Sequence, residues 1–259
     1  MIQLFSEAGL RRLNAIAHPG LLCVFDFDGT LAPIVAQPGD ARLSPDTLER
    51  LRILALRAPI AILTGRAIQD ITPRLGFEPD YLVGNHGIEG MQVEAPLKEY
   101  ARLCATWMAE LEAALPRLGP LGAHIQLEDK RYSLSVHYRQ APDTQEAIAR
   151  LQELFAGLRP APKVVGGKYV FNLLPSDGAD KGVALCHLAE VSGAETVIYV
   201  GDDVTDEDAF RLRHENLMTV RIGQHADSHA QFFLEQREDM LLLLDALIER
   251  LPLRAKDPA

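Results

Sequence analysis

The chain has 259 residues, of which 47% are hydrophobic and 24% charged, and its formal net charge is -10. This composition is typical of a globular protein, and the acidic balance argues against a nucleic-acid-binding surface. The three cysteines are too few and too scattered for a disulfide framework or a zinc site. The patterns of a signal peptide and of a membrane span are both missing, so we expect a cytoplasmic protein that binds neither nucleic acid nor membrane.

The first third of the chain alternates short apolar runs with amphipathic patterns. These predict helices at 1–17, 44–56 and 66–76 and strands at 21–25, 59–65 and 81–85. Ser44 is a typical N-cap, and Pro45 takes the first helical position. The last third repeats the alternation, with helices at 181–193 and 206–215, strands at 196–202 and 217–223, and a long C-terminal helix. We therefore expect an α/β fold with a doubly wound, mainly parallel sheet.

The middle of the chain has a different pattern. It predicts helices at 97–118 and 144–158 and antiparallel hairpins at 124–139 and 163–174. The first hairpin should turn near Asp129. Apolar residues alternate with polar ones along it, as in an exposed strand pair, and the apolar side comprises Tyr132, Leu134, Val136 and Tyr138. We expect an inserted α+β domain at 94–178 and a core domain formed by 1–93 and 179–259.

Acidic residues follow two of the predicted buried strands. Asp26 and Asp28 come directly after the strand at 21–25, and residues two apart in an extended chain face the same side. Gly29 allows a sharp exit, and Thr30 adds a hydroxyl. Another acidic cluster follows the strand at 196–202 and contains Asp202, Asp203, Asp206, Glu207 and Asp208. The two clusters would repel each other at one sheet edge unless a cation lay between them, and oxygen ligands favour magnesium or calcium.

Two further elements are expected at the same edge. Thr64 and Gly65 end the second strand with a hydroxyl and a permissive backbone, and Lys181 begins a helix, where it would help to hold an anion. A solvated surface would explain each motif taken alone, but four motifs in this order are much less expected by chance. A calcium-binding EF-hand needs glycine at loop position 6 and glutamate at position 12, and neither acidic segment has them.

The four motifs together resemble the signatures of the haloacid dehalogenase-like (HAD-like) phosphatase superfamily. They are "DFDGT", "TGR", the lysine of "DKG" and "GDDVTDED". The blocks "DFDGTLAPI", "GNHGIE", "LEDKRYSLSVHYR" and "GDDVTDEDAF" resemble, more closely, the trehalose-6-phosphate phosphatase family. This resemblance implies a HAD-like Rossmannoid core with an α+β cap domain between the second and third signatures.

The resemblance also implies a role for each matching residue. Asp26 would be the nucleophile and Asp28 the general acid and base, while Thr64 and Lys181 would hold the phosphoryl oxygens. A Mg²⁺ cofactor would be held by Asp26, the backbone carbonyl of Asp28 and Asp202, with Asp203 and Asp206 close behind. The substrate-binding positions would be Gly65, Arg66, Asn85, His86, Glu128, Lys130, Arg139, Lys168 and Asn172. For Lys168, a solvated hairpin-turn lysine is an equal alternative.

One position departs from the family pattern. Asn172 stands where a sugar-binding glutamate is expected, and Leu174 precedes the proline where the family has a basic residue. The first hypothesis is therefore a phosphatase of trehalose 6-phosphate, acting as a monomer on a small sugar phosphate. The alternatives are a phosphatase of another phosphorylated disaccharide or glycosylglycerate, and a phosphoacceptor domain that does not turn over.

Overall fold

The computed structural model describes residues 1–35, 37–91 and 96–254. The chain divides into two compact units. The core unit comprises Met1–Gly90 and Ala179–Ala259, and the inserted unit comprises Met91–Gly178. The domain boundary expected between residues 93 and 94 lies outside the described residues.

The described residues contain eleven strands, which form two separate sheets. They are β1 (Ile2–Gln3), β2 (Leu21–Phe25), β3 (Ile60–Leu63), β4 (Tyr81–Val83), β5 (Gln126–Asp129), β6 (Leu134–His137), β7 (Lys163–Gly167), β8 (Val170–Leu174), β9 (Thr196–Gly201), β10 (Leu217–Ile222) and β11 (Phe232–Leu234). The core unit has a seven-stranded sheet in the order β1-β11-β10-β9-β2-β3-β4, in which every pair is parallel. The inserted unit has a four-stranded antiparallel sheet in the order β5-β6-β8-β7.

Eight α-helices are present in the same part of the chain. They are α1 (Glu7–Ile16), α2 (Pro45–Ala55), α3 (Ile68–Leu75), α4 (Leu97–Ala114), α5 (Thr144–Gly157), α6 (Lys181–Ser192), α7 (Glu207–Phe210) and α8 (Met240–Arg250). The predicted start of α2 is confirmed, since Ser44 Oγ accepts a hydrogen bond from Thr47 N and Pro45 is the first helical residue. Among the described residues, the helices are too short or too polar to cross a membrane.

The expected α/β fold class is confirmed. All five residues of β2 and all six of β9 are buried, as is usual for parallel strands in the middle of a sheet flanked by helices. The chain runs from β2 to β3 on one side and from β9 to β10 on the other. The strand order therefore reverses between β2 and β9, and the cleft at such a reversal is where open α/β sheets bind ligands.

Several predicted elements differ from the observed ones. The helix expected at 1–17 begins only at Glu7, because Ile2 and Gln3 pair with Phe232 and Phe233 as an additional strand. The helix expected at 206–215 is four residues long, and the one expected at 97–118 ends at Ala114. β1 is a two-residue edge strand whose partner, β11, lies more than 200 residues away, so no local pattern predicts it.

In the inserted unit, α4 and α5 pack against one face of the antiparallel sheet. Leu134, Val136 and Trp107 belong to its hydrophobic core, so the predicted alternation and both predicted hairpins are confirmed. The expectation that the first strand pair is exposed on its polar side is confirmed at Arg131 and Arg139 but is wrong at Ser135, which is 0% exposed. Its burial is compatible with a polar side chain, since Ser135 Oγ donates to Asn172 Oδ1 at 2.7 Å.

Candidate active site

The two acidic clusters predicted from the sequence meet at the strand reversal of the core unit. β2 and β9 are neighbours, and Phe25 lies opposite Val200. Asp26 directly follows the first strand, and Asp202 directly follows the second. Carboxylate oxygens of Asp26, Asp202 and Asp206 lie within 4.8 Å of one another. Three carboxylates at this spacing repel each other strongly unless cations compensate them.

Lys181 is the cation that the structure places among them. It is the first residue of α6 and is only 2% exposed. Its Nζ donates to Asp26 Oδ1 at 2.8 Å and to Asp206 Oδ1 at 2.6 Å. Burial alone would lower the pKa of Lys181, but these two carboxylates outweigh burial and raise it, so the ammonium stays charged. The helix start is held by Asp180, whose carboxylate accepts from two backbone N–H groups.

Asp206 is fully buried and engaged at both oxygens. Its Oδ1 also accepts from the Tyr199 hydroxyl at 2.5 Å, and its Oδ2 accepts from the backbone N–H groups of Asp202 and Asp203 at 2.8 and 2.9 Å. Burial would raise the pKa of Asp206, but Lys181 and these hydrogen bonds lower it. Asp206 thus orients the acidic loop. Tyr199 was not predicted, although a tyrosine within an apolar strand signals a buried hydroxyl that needs a partner.

The carboxylates of Asp26 and Asp202 are suited to hold a cation. Their hydrogen bonds in the described structure reach Oδ1, from Lys181 and from Thr30 Oγ1, so the second oxygen of each is available. Burial first, and then neighbouring carboxylates, raise the pKa of Asp26 to about 7 and that of Asp202 well above its usual range. The donor set consists of oxygens, which fits Mg²⁺ or Ca²⁺.

The Asp28 carboxylate pairs with an arginine and is not one of the three grouped carboxylates. Arg66 Nε and Nη2 donate to Asp28 Oδ2 and Oδ1, both at 2.6 Å, in a bidentate ion pair. Arg66 is 9% exposed and also lies over the Phe27 ring. The pKa of Arg66 would be lowered by burial, but the hydrogen bonds and charges of Asp28 and Asp70 raise it. The pair fixes the direction in which the Asp28 carboxylate points.

Thr64, Gly65 and His86 lie together beyond the end of β3. Thr64 is buried, and its Oγ1 accepts from the Arg66 backbone N–H at 3.2 Å. The His86 imidazole packs directly on Gly65, where a Cβ atom would lie 2.3 Å from His86 Cε1. The backbone N–H of His86 donates to Thr64 O at 3.0 Å. These contacts bring three of the predicted site residues into one loop cluster.

Asn85 supports this loop from within. It is 0% exposed, and its side-chain amide donates to Glu89 Oε2 at 2.8 Å. The same Glu89 oxygen accepts from the backbone N–H of Ile68 at 2.9 Å, at the first residue of α3, where the N-cap Ala67 offers no side-chain oxygen. Glu89 was not predicted as part of the site, and it couples the "GNHGIE" segment to the start of α3.

In the inserted unit, the structure brings Glu128 and Asn172 onto the sheet face opposite the helices. Glu128 and Asn172 both pair with Ser135, from β5 and β8 respectively, so the three form one row across the sheet. The Glu128 carboxylate contacts His137 Nε2 at 2.8 Å. Asn172 is buried, with 6% of its surface exposed.

The three predicted cations of this unit are divided between two ends of the sheet. Lys130 lies in the turn before β6, whereas Lys168 lies in the β7–β8 turn next to Tyr169, over whose ring the Arg139 guanidinium is placed at 5.9 Å. Since an antiparallel strand rises ~3.4 Å per residue, the ends of four-residue β6 are roughly 10 Å apart. These side chains therefore form two separate cationic positions.

Comparison with known proteins agrees with the geometry. A family model described as trehalose-phosphatase matches residues 24–237. The trehalose-phosphate phosphatase of Mycobacterium bovis (strain BCG / Pasteur 1173P2) is 36% identical over 251 residues, which cover 89% of this chain and 63% of that protein. The chain thus spans less than two thirds of the length of this relative.

Solved structures show the same fold. The C-terminal domain of a trehalose-6-phosphate phosphatase from C. albicans superposes with a TM-score of 0.76 at 21% identity, covering 93% of this chain and 96% of that one. A trehalose-6-phosphate phosphatase related protein gives a TM-score of 0.70 at 22% identity, covering 88% and 97%. The family model covers both acidic strand ends and all of the chain between them. The chain therefore belongs to the trehalose-phosphatase family.

Proposed function

We propose that this protein hydrolyses trehalose 6-phosphate to trehalose and inorganic phosphate, with Mg²⁺ as its cofactor. One observation carries the proposal. The buried Asp26 carboxylate lies at the strand reversal, hydrogen-bonded to Lys181 at 2.8 Å and grouped with Asp202 and Asp206. Membership of the trehalose-phosphatase family and the names of the relatives support the substrate.

The chemistry proceeds in two displacements. An oxygen of the Asp26 carboxylate attacks phosphorus and forms an aspartyl-phosphate, while the bond to the sugar oxygen breaks and Asp28, which must enter this step in its protonated form, gives its proton to that oxygen. Asp28 then takes a proton from a water molecule, which attacks the same phosphorus. The Asp26–phosphate bond breaks, inorganic phosphate leaves, and both carboxyl groups return to their starting states.

Charge compensation comes from residues around Asp26. Lys181 and Thr64 would hold the phosphoryl oxygens as charge develops on them. The carboxylates of Asp26 and Asp202 and the backbone carbonyl of Asp28 would hold the Mg²⁺, with Asp203 and Asp206 behind them. A magnesium ion bound there neutralises charge between the nucleophile and the phosphate and orients the transferring group.

Recognition of the sugar is the finer part of the proposal. We assign it to Glu128, Lys130, Arg139, Lys168 and Asn172 in the inserted unit and to Gly65, Arg66, Asn85 and His86 in the core unit. One observation favours a second candidate substrate: Asn172 is neutral and its Oδ1 accepts from Ser135. A pocket matched to an amide would suit another phosphorylated disaccharide or a glycosylglycerate.

A panel of phosphate esters tests both candidates. We expect phosphate release from trehalose 6-phosphate with a kcat/KM at least about tenfold above that for glucose 6-phosphate, loss of release in a chelator and its return with Mg²⁺. A higher kcat/KM for a different phosphorylated disaccharide or for a phosphorylated glycosylglycerate would establish the second candidate. Equal rates on all sugar phosphates would contradict both.

The proposal also includes a cytoplasmic monomer that binds neither nucleic acid nor membrane. The net charge of -10 supports the absence of nucleic-acid binding.

The nucleophile is tested by Asp26→Asn. An amide cannot form the acyl-phosphate, so we expect turnover to fall by more than about a thousandfold, beyond the ~10²–10³ that one lost electrostatic contact costs. Asp227→Asn changes an exposed aspartate and should keep wild-type turnover. Phosphate released in the first turnover and afterwards is measured with ³²P-labelled substrate. If the wild-type protein releases one leaving group per molecule and then stops, it is a phosphoacceptor domain rather than a phosphatase.

A further inference from the structure

One hydrogen bond determines which end of the Asn172 amide is turned away from the sheet in the inserted unit. Ser135 Oγ and Asn172 Oδ1 are 2.7 Å apart, and both residues lie on the sheet face opposite the helices. Ser135 is 0% exposed, and among the described residues its hydroxyl has Asn172 as its only hydrogen-bond partner. A hydroxyl can donate or accept, whereas an amide accepts through its oxygen and donates through its nitrogen. The direction of this bond therefore determines what Asn172 offers to a ligand.

The hydroxyl proton of Ser135 decides that direction. If the amide nitrogen of Asn172 faced Ser135 Oγ, the hydroxyl proton would be buried without an acceptor. Buried donors without a partner are rare in folded proteins, whereas acceptors with an unused lone pair are more common. With the amide oxygen facing Ser135 Oγ, the hydroxyl donates and only lone pairs stay unused. Asn172 Oδ1 is therefore the acceptor of this bond.

The same bond leaves the amide N–H groups of Asn172 for a ligand. Asn172 Nδ2 makes no hydrogen bond with the part of the chain that the structure describes, and it is not an enclosed atom. On the other side of Ser135 lies Glu128, whose carboxylate supplies acceptors. The row thus offers acceptors from β5 and donors from β8. A glutamate at position 172, which the family pattern predicts, would offer acceptors from both strands.

We propose that Asn172 is a specificity-determining residue, which donates a hydrogen bond to an acceptor oxygen of the substrate and which Ser135 holds in the donating orientation. The inference rests on the proposed function, because it requires the inserted unit to bind the organic part of a phosphate ester. The acceptor is a hydroxyl oxygen of the unphosphorylated sugar in a phosphorylated disaccharide, or the carboxylate of a phosphorylated glycosylglycerate. The two sources share one chemistry, an oxygen that accepts from the amide.

A comparison of fluoro and deoxy analogues tests the direction of the hydrogen bond. Fluorine in place of a sugar hydroxyl accepts weakly and cannot donate, whereas hydrogen does neither. If Asn172 donates, the fluoro analogue of trehalose 6-phosphate should exceed the deoxy analogue in kcat/KM by about threefold or more at one position of the unphosphorylated ring. In Asn172→Asp at pH 8, a carboxylate oxygen replaces the NH2 group, so the fluoro analogue should become the poorer substrate at that position.

The carboxylate source is tested with the same variant. If the wild type prefers a phosphorylated glycosylglycerate, Asn172→Asp sets one carboxylate against another, and kcat/KM for that ester should fall by about a hundredfold or more. p-Nitrophenyl phosphate contains neither a sugar nor a carboxylate, so its kcat/KM should change less than about twofold in this variant.

Matched variants separate the direction of the hydrogen bond from a structural role. Gln152→Glu makes the same change from amide to carboxylate at an exposed position of α5, and it should keep the wild-type ratio of fluoro to deoxy analogue. Ser135→Ala removes the hydroxyl that holds the amide, so this ratio should move toward one. If Asn172→Asp does not fold, as judged by circular dichroism, Ser135→Ala decides the question by the same ratio.

The outcomes are distinguishable from failure of the proposed function. In a wild type that prefers trehalose 6-phosphate, a fluoro analogue no better than the deoxy analogue at every ring position would overturn the inference. An unchanged ratio in Asn172→Asp or in Ser135→Ala would also overturn it. In a wild type that prefers the glycosylglycerate ester, an unchanged kcat/KM in Asn172→Asp would do the same. If the wild type releases no phosphate from any ester, the proposed function itself fails, whatever the variants do.

Discussion

Two glycines of the candidate active site lie where the backbone approaches a carboxylate too closely for a side chain. A Cβ atom at Gly29 would lie 2.1 Å from Asp202 Oδ2, and one at Gly201 would lie 2.3 Å from Asp206 Cγ. Gly29 also has a φ of +86°, which is strained for other residues. The acidic cluster is therefore compact because two positions carry no side chain.

Gly29→Ala tests this at the residue scale. The added methyl group must displace the Asp202 carboxylate, so we expect the Mg²⁺ concentration for half-maximal activity to rise by about tenfold to a hundredfold, as for other disturbances around metal ligands. Gly193→Ala is the matched control, because Gly193 has a φ of +63° and a Cβ atom there would meet no described atom within 4 Å. An equal rise of this Mg²⁺ concentration in both variants would show that backbone strain, not crowding of Asp202, is responsible.

A second prediction at this scale concerns protons. Burial raises the pKa of Asp26 to about 7 in the metal-free protein, so this group is mostly protonated at pH 6 and mostly ionised at pH 8. A metal ligand must be ionised, and the pKa of the other carboxylate ligand, Asp202, is also raised, so metal binding should release protons below pH 7 and the affinity for Mg²⁺ should rise there by about tenfold or more per pH unit. Isothermal titration calorimetry in buffers of different ionisation enthalpy measures the release. An affinity that is constant from pH 6 to 8 would contradict it.

At the scale of elements, helix starts place several site residues. α6 begins at Lys181 behind the N-cap Asp180, and α3 begins at Ile68, whose N–H is satisfied by Glu89. α2 carries no site residue and begins with the N-cap Ser44. Capping thus positions site residues at the starts of α6 and α3, whereas at the start of α2 it contributes to stability alone.

Ser44→Ala measures the stability contribution of such a cap. The substitution removes the acceptor for Thr47 N and should lower the free energy of unfolding by about 1 kcal/mol, the usual cost of losing an N-cap. Urea unfolding followed by far-ultraviolet circular dichroism gives the value, and kcat should not change. Glu49→Ala, at an exposed position of α2, serves as the control. An equal loss of unfolding free energy in both variants would show that the loss does not come from the cap.

At the scale of the whole molecule, each unit has its own hydrophobic core. In the core unit, the central strands β2 and β9 are buried on both faces of the parallel sheet, whereas the inserted unit packs α4 and α5 on one face of its sheet. Trp107, the single tryptophan, is fully buried in the inserted unit, and its Nε1 donates to Pro160 O at 2.9 Å. Its fluorescence therefore reports on that unit.

Two leucine substitutions test whether the cores are separate. Leu151 and Leu54 are both 0% exposed, the first in the inserted unit and the second in the core unit. Leu151→Ala should lower stability by about 2–5 kcal/mol and move the tryptophan transition in urea to lower concentration. Leu54→Ala should move the circular dichroism transition and leave the tryptophan transition in place. If each variant moves both transitions equally, the two cores unfold as one cooperative unit.

The sequence by itself determined the elements that rest on local pattern. The buried runs at β2, β3 and β9, the Ser44–Pro45 helix start and the two hairpins follow from periodicity and capping, which act over a few residues. The rule that ligands bind at the carboxyl edge of parallel strands was enough to bring Asp26 and Asp202 together, although 176 positions separate them.

Only the tertiary structure decided the partners of these residues. The strand pairing of Ile2 with Phe232 and the ion pair of Arg66 with Asp28 each depend on which distant groups the folded backbone brings within hydrogen-bonding distance. The burial of Ser135 beside Asn172 is of the same kind. Such contacts are set by the packing of distant segments, so they leave no periodic trace in the chain, and the energy of a buried polar group depends on the one partner that it finds there.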